Sequence, residues 1–438
     1  MEIWMKDKIE QLILDVSKEN KVFNFVYNKN KKFDTDKDWV YYSGPYWDND
    51  EVIGMFTAIL SGKWLSAGEH VHKFENEFSK KFNHSDSLMV NSGSSANLVM
   101  FTALKSYFKW QDGDELIVSP VGFPTTIAPI VQNKLVPVFI DISMEDLNFD
   151  LKLIEAKINP RTRGIVVSPV LGNAPDMDVL LALCQKHGIL LIMDNCDSLG
   201  SKWDNKFLTD FSAASSCSFY PAHHITTGEG GMVSSNDKDF LKVARKIAWW
   251  GRDCYCVGSA NLLVSGTCGN RFDKWMEGSD EVIDHKYFFT EMGYNLKPLD
   301  LQGAIGLAQL TKYDEIHAKR RKSKQTLDLL FEKYVPGVRT IKEMPKAHTS
   351  WFGTPFVCEN KNLKRTLVQF LESNRIQTRN YFAGNILQHP AYKFLDDFKK
   401  YPNANHVLEE VFFIGAAPHY SDSTFAYVES VLKKWVKQ

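Results

Sequence analysis

The sequence predicts an α/β fold in which a mostly parallel central sheet is covered by helices and followed by a smaller C-terminal α+β domain. Three observations carry this. Between about residues 85 and 235, short runs that are apolar on both faces alternate with helical stretches, as a buried parallel sheet demands. After about Lys312 the pattern changes to longer charged helices with a few strands between them. The composition, 44% hydrophobic and 24% charged over 438 residues, supplies a sizeable core and lies far from the signature of disorder.

Taken in order, residues 1–62 read as an N-terminal helix and arm. Met1 to Asn20 is amphipathic and charged instead of basic-then-apolar, and no apolar stretch reaches the ~18 residues of a membrane span, so a cytoplasmic protein without membrane contact is expected. The aromatic, proline-punctuated segment Trp39 to Trp47 suits either a substrate mouth or an arm packed on the main domain. Residues 63–311 form the large domain. Its strands are read at Ser87–Val90, Leu116–Val118, Val136–Ile140, Gly164–Val167 and Ile189–Met193, with a helix over Met177–His187 among the connections. Residues 312–438 form the small domain, with helices over Tyr313–Tyr334 and Asn362–Asn374 and a strand over Trp351–Val357. Basic and acidic residues number 52 and 53, a net charge of −1 that gives no field for holding nucleic acid. Seven cysteines are too few for a disulfide scaffold, and thiols in a reducing compartment serve as metal ligands, catalysts or small core residues.

Ligands of such sheets bind beyond the carboxyl ends of the strands, so residues just after each apolar run are the functional candidates. Asn91-Ser-Gly-Ser-Ser95 joins a strand to a helical pattern that begins at Ala96. Backbone N–H groups of such a turn attract a phosphate, with Ser94 and Ser95 as donors, although an ordinary N-cap turn has the same composition. Asp194 ends another apolar run, where a carboxylate can keep a heterocyclic nitrogen protonated or simply cap a helix. Phe123, in Pro120-Val-Gly-Phe-Pro-Thr-Thr126, offers a face for ring stacking, or core packing.

Two further blocks are Ser218-Phe-Tyr-Pro-Ala-His-His-Ile-Thr-Thr-Gly-Glu-Gly-Gly231 and Gly293-Tyr-Asn-Leu-Lys-Pro-Leu-Asp-Leu-Gln-Gly-Ala304. In this order with the turns above, from about Trp64 to Gln309, the chain resembles the sugar-nucleotide branch of the pyridoxal-phosphate aminotransferases, which have the aspartate aminotransferase-like fold (fold type I). The resemblance makes 63–311 the cofactor-binding domain. It implies that Ser94, Ser95 and Ser218 bind the cofactor phosphate, that Phe123 stacks on the pyridine ring and that Asp194 pairs with its nitrogen. It sets Asp197, where many relatives carry Gln, near the phenolic oxygen. Asn295 would reach the phosphate of a neighbouring subunit, which implies a homodimer.

Members of that family hold pyridoxal phosphate through a lysine one residue beyond the Ser-Phe-aromatic-Pro run, and here that place is His223. Imidazole cannot tether the aldehyde, but with a pKa of ~6.5 it suits a general base or acid. The cofactor is therefore expected to be held noncovalently, as pyridoxamine 5'-phosphate. His224 is the runner-up base, and Tyr220 would help to position cofactor or substrate. The lysine-to-histidine exchange resembles that of 3-dehydratases, which remove the C3 hydroxyl of a nucleotide-linked 4-keto-6-deoxyhexose.

Cys196, Cys254, Cys256 and Cys268 are spaced Cys-x57-Cys-x-Cys-x11-Cys. Four thiolates suit a [2Fe-2S] cluster, while the paired Cys-x2-4-Cys knuckles of a structural zinc site are missing. The spacing resembles that of the iron–sulfur 3-dehydrases of CDP-6-deoxy-4-ketoglucose, with a longer last interval. That resemblance implies a CDP-linked substrate, a place in 3,6-dideoxysugar synthesis for surface polysaccharide, and an NAD(P)H-dependent reductase as electron donor, since the chain has no nucleotide-binding glycine fingerprint. Two alternatives stand beside it: a metal-free GDP-4-keto-6-deoxymannose 3-dehydratase, and a non-catalytic homologue that binds pyridoxamine phosphate. Cys184, Cys217 and Cys358 read as small buried residues. Arg320, Arg321 and Arg379 are candidates for a substrate diphosphate or for solvated helix charges.

Overall fold

The carboxyl ends of six parallel strands open onto one side of the main sheet. The computed structural model describes residues 3–18, 33–61, 64–254, 262–263 and 269–437. The sheet runs in the order Asp86–Val90, Gly231–Ser235, Ala214–Ser218, Leu190–Asp194, Thr162–Val167, Glu115–Val118 and Val136–Phe139. Gly231–Ser235 is antiparallel to both neighbours, and every other pairing is parallel. The mixed, mostly parallel sheet is that of an aminotransferase-like α/β fold. The five strands expected from apolar runs all form. The other two, Ala214–Ser218 and Gly231–Ser235, are rich in serine yet buried throughout. Their hydroxyls are matched internally: Ser87 Oγ lies 2.8 Å from Ser234 Oγ, and Ser235 Oγ donates to the Ala213 carbonyl at 2.7 Å.

The helix after the first strand spans Gly93–Tyr107, one turn earlier than its apolar pattern begins, because Ser92 caps it through Ser95 N–H and the poor helix formers Gly-Ser-Ser fill its first turn. Met177–His187 forms as expected, capped by Asp176 and ended by Gly188 in the left-handed region.

A 35-residue helix, Asp300–Tyr334, about 52 Å long, runs through position 312 and joins the main sheet to the C-terminal part. Its first turns were hidden in the sequence by Gly303 and Gly306. They are needed for close packing, since a Cβ at Gly306 would lie 2.7 Å from the Phe74 ring. Beyond it, Val338–Thr340, Gly353–Cys358, Val411–Gly415 and Arg379–Asn380 form an antiparallel sheet in that order. Phe331 from the long helix stacks on Phe356 at 3.9 Å between ring centres, with Phe412 beside them in the core. The helices Lys361–Ser373 and Asp422–Trp435 cover that core. No helix among the described residues is long and apolar enough to cross a membrane.

The long helix also completes the start of a neighbour. Helix Glu69–Lys81 begins at Gly68, which has no side chain to cap it, and the buried Asp300 takes over: Oδ1 accepts from Val71 N–H at 3.0 Å and Oδ2 meets His70 Nδ1 at 2.8 Å. Asp300→Ala is expected to lower the urea unfolding free energy by about 2 kcal/mol. The bond to Asp300 raises the pKa of His70 above 6.5. Burial pushes Asp300 up, but its bonds to His70 and to Val71 N–H outweigh this and leave it below 3.8. The carboxylate's contribution is lost as pH falls below 3.8 through its depressed pKa. That of the imidazolium is lost as pH rises above 6.5 through its raised one. The difference between wild type and Asp300→Ala should therefore be largest between those values, which a urea series against pH measures.

Candidate functional site

A cavity of about 1110 Å³ opens at the carboxyl ends of the parallel strands and is closed on the far side by Phe352, Phe382 and Phe413. Ser94, Phe123, Asp194, Cys196, Asp197, Ser218, Tyr220 and His223 all line it. Sequence positions spread over 130 residues thus meet because each ends a strand or lies in the segment just after one. Ser95 is not part of the wall; its N–H and hydroxyl face Ser92 Oγ at 3.1 and 3.0 Å. Asn295 lies outside the cavity as well, bridged to Trp249 and accepting from Lys297 Nζ.

At one pole the first turn of Gly93–Tyr107 abuts the end of Ala214–Ser218. A Cβ at Gly93 would lie 2.4 Å from Ser218 Cβ, so only glycine allows the helix N-terminus to approach this hydroxyl. Exposed Ser94, Ser218 and the partial positive charge of the helix end are the groups here that could hold a phosphate.

At the centre Asp194 is 3% exposed. Its Oδ2 accepts from Asn97 Nδ2 at 2.9 Å and Thr126 Oγ1 at 2.6 Å, and its Oδ1 from Cys196 N–H at 3.3 Å and Ser216 Oγ at 3.4 Å. No helix starts after it, so the capping role is out. Asn97, Thr126 and Ser216 were not foreseen; a lone Asn on an apolar helix was the one available sign. Asp194→Ala strands these donors in the interior, and a loss of about 3 kcal/mol in the urea unfolding free energy is expected, with Asp194→Asn restoring part of it. Phe123, at the start of helix Pro124–Gln132, is 53% exposed, its edge set against Phe382 at 6.2 Å between centres.

His223 and His224 diverge. His224 is 2% exposed and its Nε2 bonds to the Ser350 carbonyl at 2.8 Å, away from the cavity. His223 faces the cavity, packed against Phe352 at 5.2 Å between ring centres, with Nδ1 3.6 Å from Asp197 Oδ1 and without a hydrogen bond. Burial, then the charge of Arg320, hold its pKa down at about 4, so the imidazole is neutral. Burial, then Asp194, push Asp197 up to about 7. Asp197 Oδ2 accepts from the N–H of Leu171, a residue in the left-handed region at φ 57°. Among the described residues no lysine lines this cavity.

The three candidate arginines separate. Arg320 is buried and bound to backbone carbonyls, and Arg321 pairs with Glu343 at 2.8 Å in a different groove, so neither is free for a diphosphate there. Arg379 lines the mouth, its guanidinium 4.1 Å from the centre of the Tyr42 ring. The aromatic segment spans both parts of the protein: Tyr46 is buried with Val71, Phe74 and Phe219, Val40 N–H bonds to the Arg375 carbonyl of the C-terminal part at 2.9 Å, and Tyr42 lines the cavity.

Of the cysteine quartet, Cys196 lies in the cavity wall and Cys254 is 9% exposed, while Cys256 and Cys268 lie outside the described residues. Among the described residues no group of three or more His, Cys, Asp or Glu is placed to hold a metal. Cys184, Cys217 and Cys358 are buried, and burial raises the pKa of each.

The model of the DegT/DnrJ/EryC1/StrS aminotransferase family matches residues 47–433. A dTDP-4-dehydro-2,6-dideoxy-D-glucose 3-dehydratase of Saccharopolyspora spinosa is 36% identical over 405 residues, 90% of this chain and 86% of that protein. The lipopolysaccharide biosynthesis protein RfbH of Salmonella typhimurium is 34% identical over 396 residues, 88% and 89% of the two chains. Among solved structures, an E. coli GDP-4-keto-6-deoxy-D-mannose-3-dehydratase with bound hydrated PLP superposes with a TM-score of 0.78 at 28% identity, covering 90% of this chain and 99% of that one.

Proposed function

The chain belongs to the DegT/DnrJ/EryC1/StrS aminotransferase family, and from that premise we propose that it is a nucleotide-sugar 3-dehydrase. It uses pyridoxamine phosphate to remove the C3 hydroxyl of a CDP-linked 4-keto-6-deoxyhexose, on a cytoplasmic route to 3,6-dideoxysugars of surface polysaccharide. One observation carries the reading: the cavity has an imidazole, His223, and among the described residues no lysine. An amine tether for the cofactor is missing from a site otherwise furnished for it.

The residues present fit the cofactor. The Gly93–Ser94 turn and Ser218 form an anion cradle too tight for any Cβ at Gly93, and Asp194, a caged carboxylate, and the exposed Phe123 line the same cavity. When bound, pyridoxamine phosphate supplies an amine for the C4 ketone and a ring that takes up electrons. Asp194 holds the ring nitrogen protonated, Phe123 covers one face, and Ser94 and Ser218 fix the phosphate, with Asn295 contributed to the partner's site in a homodimer. Ser95 then acts by ordering the turn. Neutral His223 takes a proton at the methylene carbon beside the amine and, now an imidazolium 3.6 Å from Asp197, returns it to the departing C3 hydroxyl. Asp197 keeps that imidazole oriented and lies near the phenolic oxygen, and Tyr220, half exposed at the rim, positions the substrate.

Cys196, Cys254, Cys256 and Cys268 form a donor set of four thiolates that suits a [2Fe-2S] cluster, which would supply single electrons received from an NAD(P)H-dependent reductase. The division into an arm at 1–62, a cofactor domain at 63–311 and a small domain at 312–438 belongs to the same proposal.

The similarity to GDP-4-keto-6-deoxy-D-mannose-3-dehydratase favours a second reading, a metal-free dehydratase of a GDP sugar. Incubation with pyridoxamine phosphate, an artificial electron donor to stand in for the reductase, and CDP-, dTDP- or GDP-linked 4-keto-6-deoxyhexoses, followed by mass spectrometry, tests the whole. Loss of the C3 oxygen from the CDP sugar is expected. Amination at C4 would refute dehydration, saturable cofactor binding without turnover of any sugar would leave a non-catalytic homologue, and preference for another nucleotide would refute CDP.

A further inference from the structure

Arg320 is 1% exposed on the long helix Asp300–Tyr334, and burial brings its pKa down to about 10, so it remains charged at neutral pH. Burying a guanidinium is costly unless something specific repays the desolvation, so packing alone does not account for it. Its hydrogen bonds go to carbonyl oxygens: Nη1 donates to Phe352 at 3.1 Å, and Nη2 donates to Ala222 at 3.2 Å and to His223 at 2.7 Å. All three acceptors belong to residues that line the cavity, and the Phe352 ring is the surface on which the His223 imidazole rests.

The turn that carries His223 needs such an anchor. Between Tyr220 and His224 the chain is neither helix nor strand, and its internal bond is His223 N–H to the Tyr220 carbonyl at 3.0 Å. Further restraint comes from outside: Ser43 Oγ donates to the Ala222 carbonyl at 2.6 Å, and His224 bonds to Ser350. Arg320 joins both cavity walls, the turn and the Phe352 strand entry, to the helix behind them.

We propose that Arg320 is a positioning residue: its guanidinium fixes the 220–224 turn against Phe352, so that the His223 imidazole is presented to the cavity. This rests on His223 being the base.

The test compares Arg320→Gln and Arg320→Lys by hydrogen exchange of the cofactor-free protein and by steady-state turnover. For Arg320→Gln, exchange of the 219–227 amides should rise about tenfold or more while the strands Thr162–Val167 and Leu190–Asp194 keep their protection. Its kcat should fall about 100-fold with KM within about threefold, as expected for a misplaced rather than missing base. Arg320→Lys, which keeps the charge and one donor group, should recover about tenfold of that loss. If the Gln variant does not fold, the Lys variant decides, with faster exchange in the same segment and about tenfold lower kcat. Wild-type exchange of 219–227 in a folded variant, or a rise spread evenly over the sheet, overturns the proposal. His223→Asn separates the two readings: if it stays active the base assignment falls, while the exchange experiment still decides what Arg320 holds.

Discussion

Replacing His223 by Asn is expected to lower the 3-dehydration rate by about 10³-fold while leaving the absorbance of bound pyridoxamine phosphate and the unfolding temperature near those of wild type. Asparagine is close in volume and polar, so the contact with Phe352 and the place beside Asp197 are largely kept, but it neither accepts nor returns a proton at neutral pH. Solvent exchange of the cofactor's methylene protons is the sharper measurement because it needs no sugar. It should stop in the variant and proceed in wild type. A His223→Asn protein that exchanges at the wild-type rate would falsify the assignment. His224 should be nearly silent in the same assay, since its ring is committed to the Ser350 carbonyl; His224→Asn should act on stability instead.

That two adjacent imidazoles differ so completely could be read from the sequence only by position within a motif. The geometry gives the reason, which is that both rings lie near Phe352 but the turn sends the His223 ring to the cavity and the His224 ring to the Ser350 carbonyl. The strands that announced themselves were those apolar on both faces. Ala214–Ser218 and Gly231–Ser235 did not, because their serines serve buried polar contacts that a hydrophobicity pattern cannot express: Ser216 with Asp194 and Asn97, Ser234 with Ser87, and Ser235 with the Ala213 carbonyl. Asp194 itself was legible as an acid at a strand end. Its partners at 97, 126 and 216 were not, since nothing local links positions that the parallel sheet brings together. The start of the long helix was missed because glycines chosen for contact with Phe74 and Val71 weaken its helical pattern. Asn295 had meaning only through resemblance, since within one chain it reaches no part of the cavity.

Protein purified without oxygen should contain about two iron and two sulfide per chain, the stoichiometry of a [2Fe-2S] cluster on four thiolates. Cys256→Ser and Cys268→Ser should each bring iron close to zero, whereas Cys184→Ser and Cys358→Ser, whose thiols are buried in hydrophobic core clusters, should leave it unchanged. Cys196 gives the most informative variant because it lies in the cavity wall, two residues beyond Asp194, and its N–H bonds to that carboxylate. Cys196→Ser should lose iron and net deoxygenation together yet retain methylene proton exchange, because serine keeps a hydroxyl donor beside Asp194 and the bonds from Asn97 and Thr126 to that carboxylate do not involve residue 196. That split between proton chemistry and electron supply is what distinguishes a reductive dehydrase from a metal-free one. An iron-free protein that still delivers the 3-deoxy sugar at the wild-type rate would leave the four cysteines without a role in the reaction and favour the GDP-sugar reading.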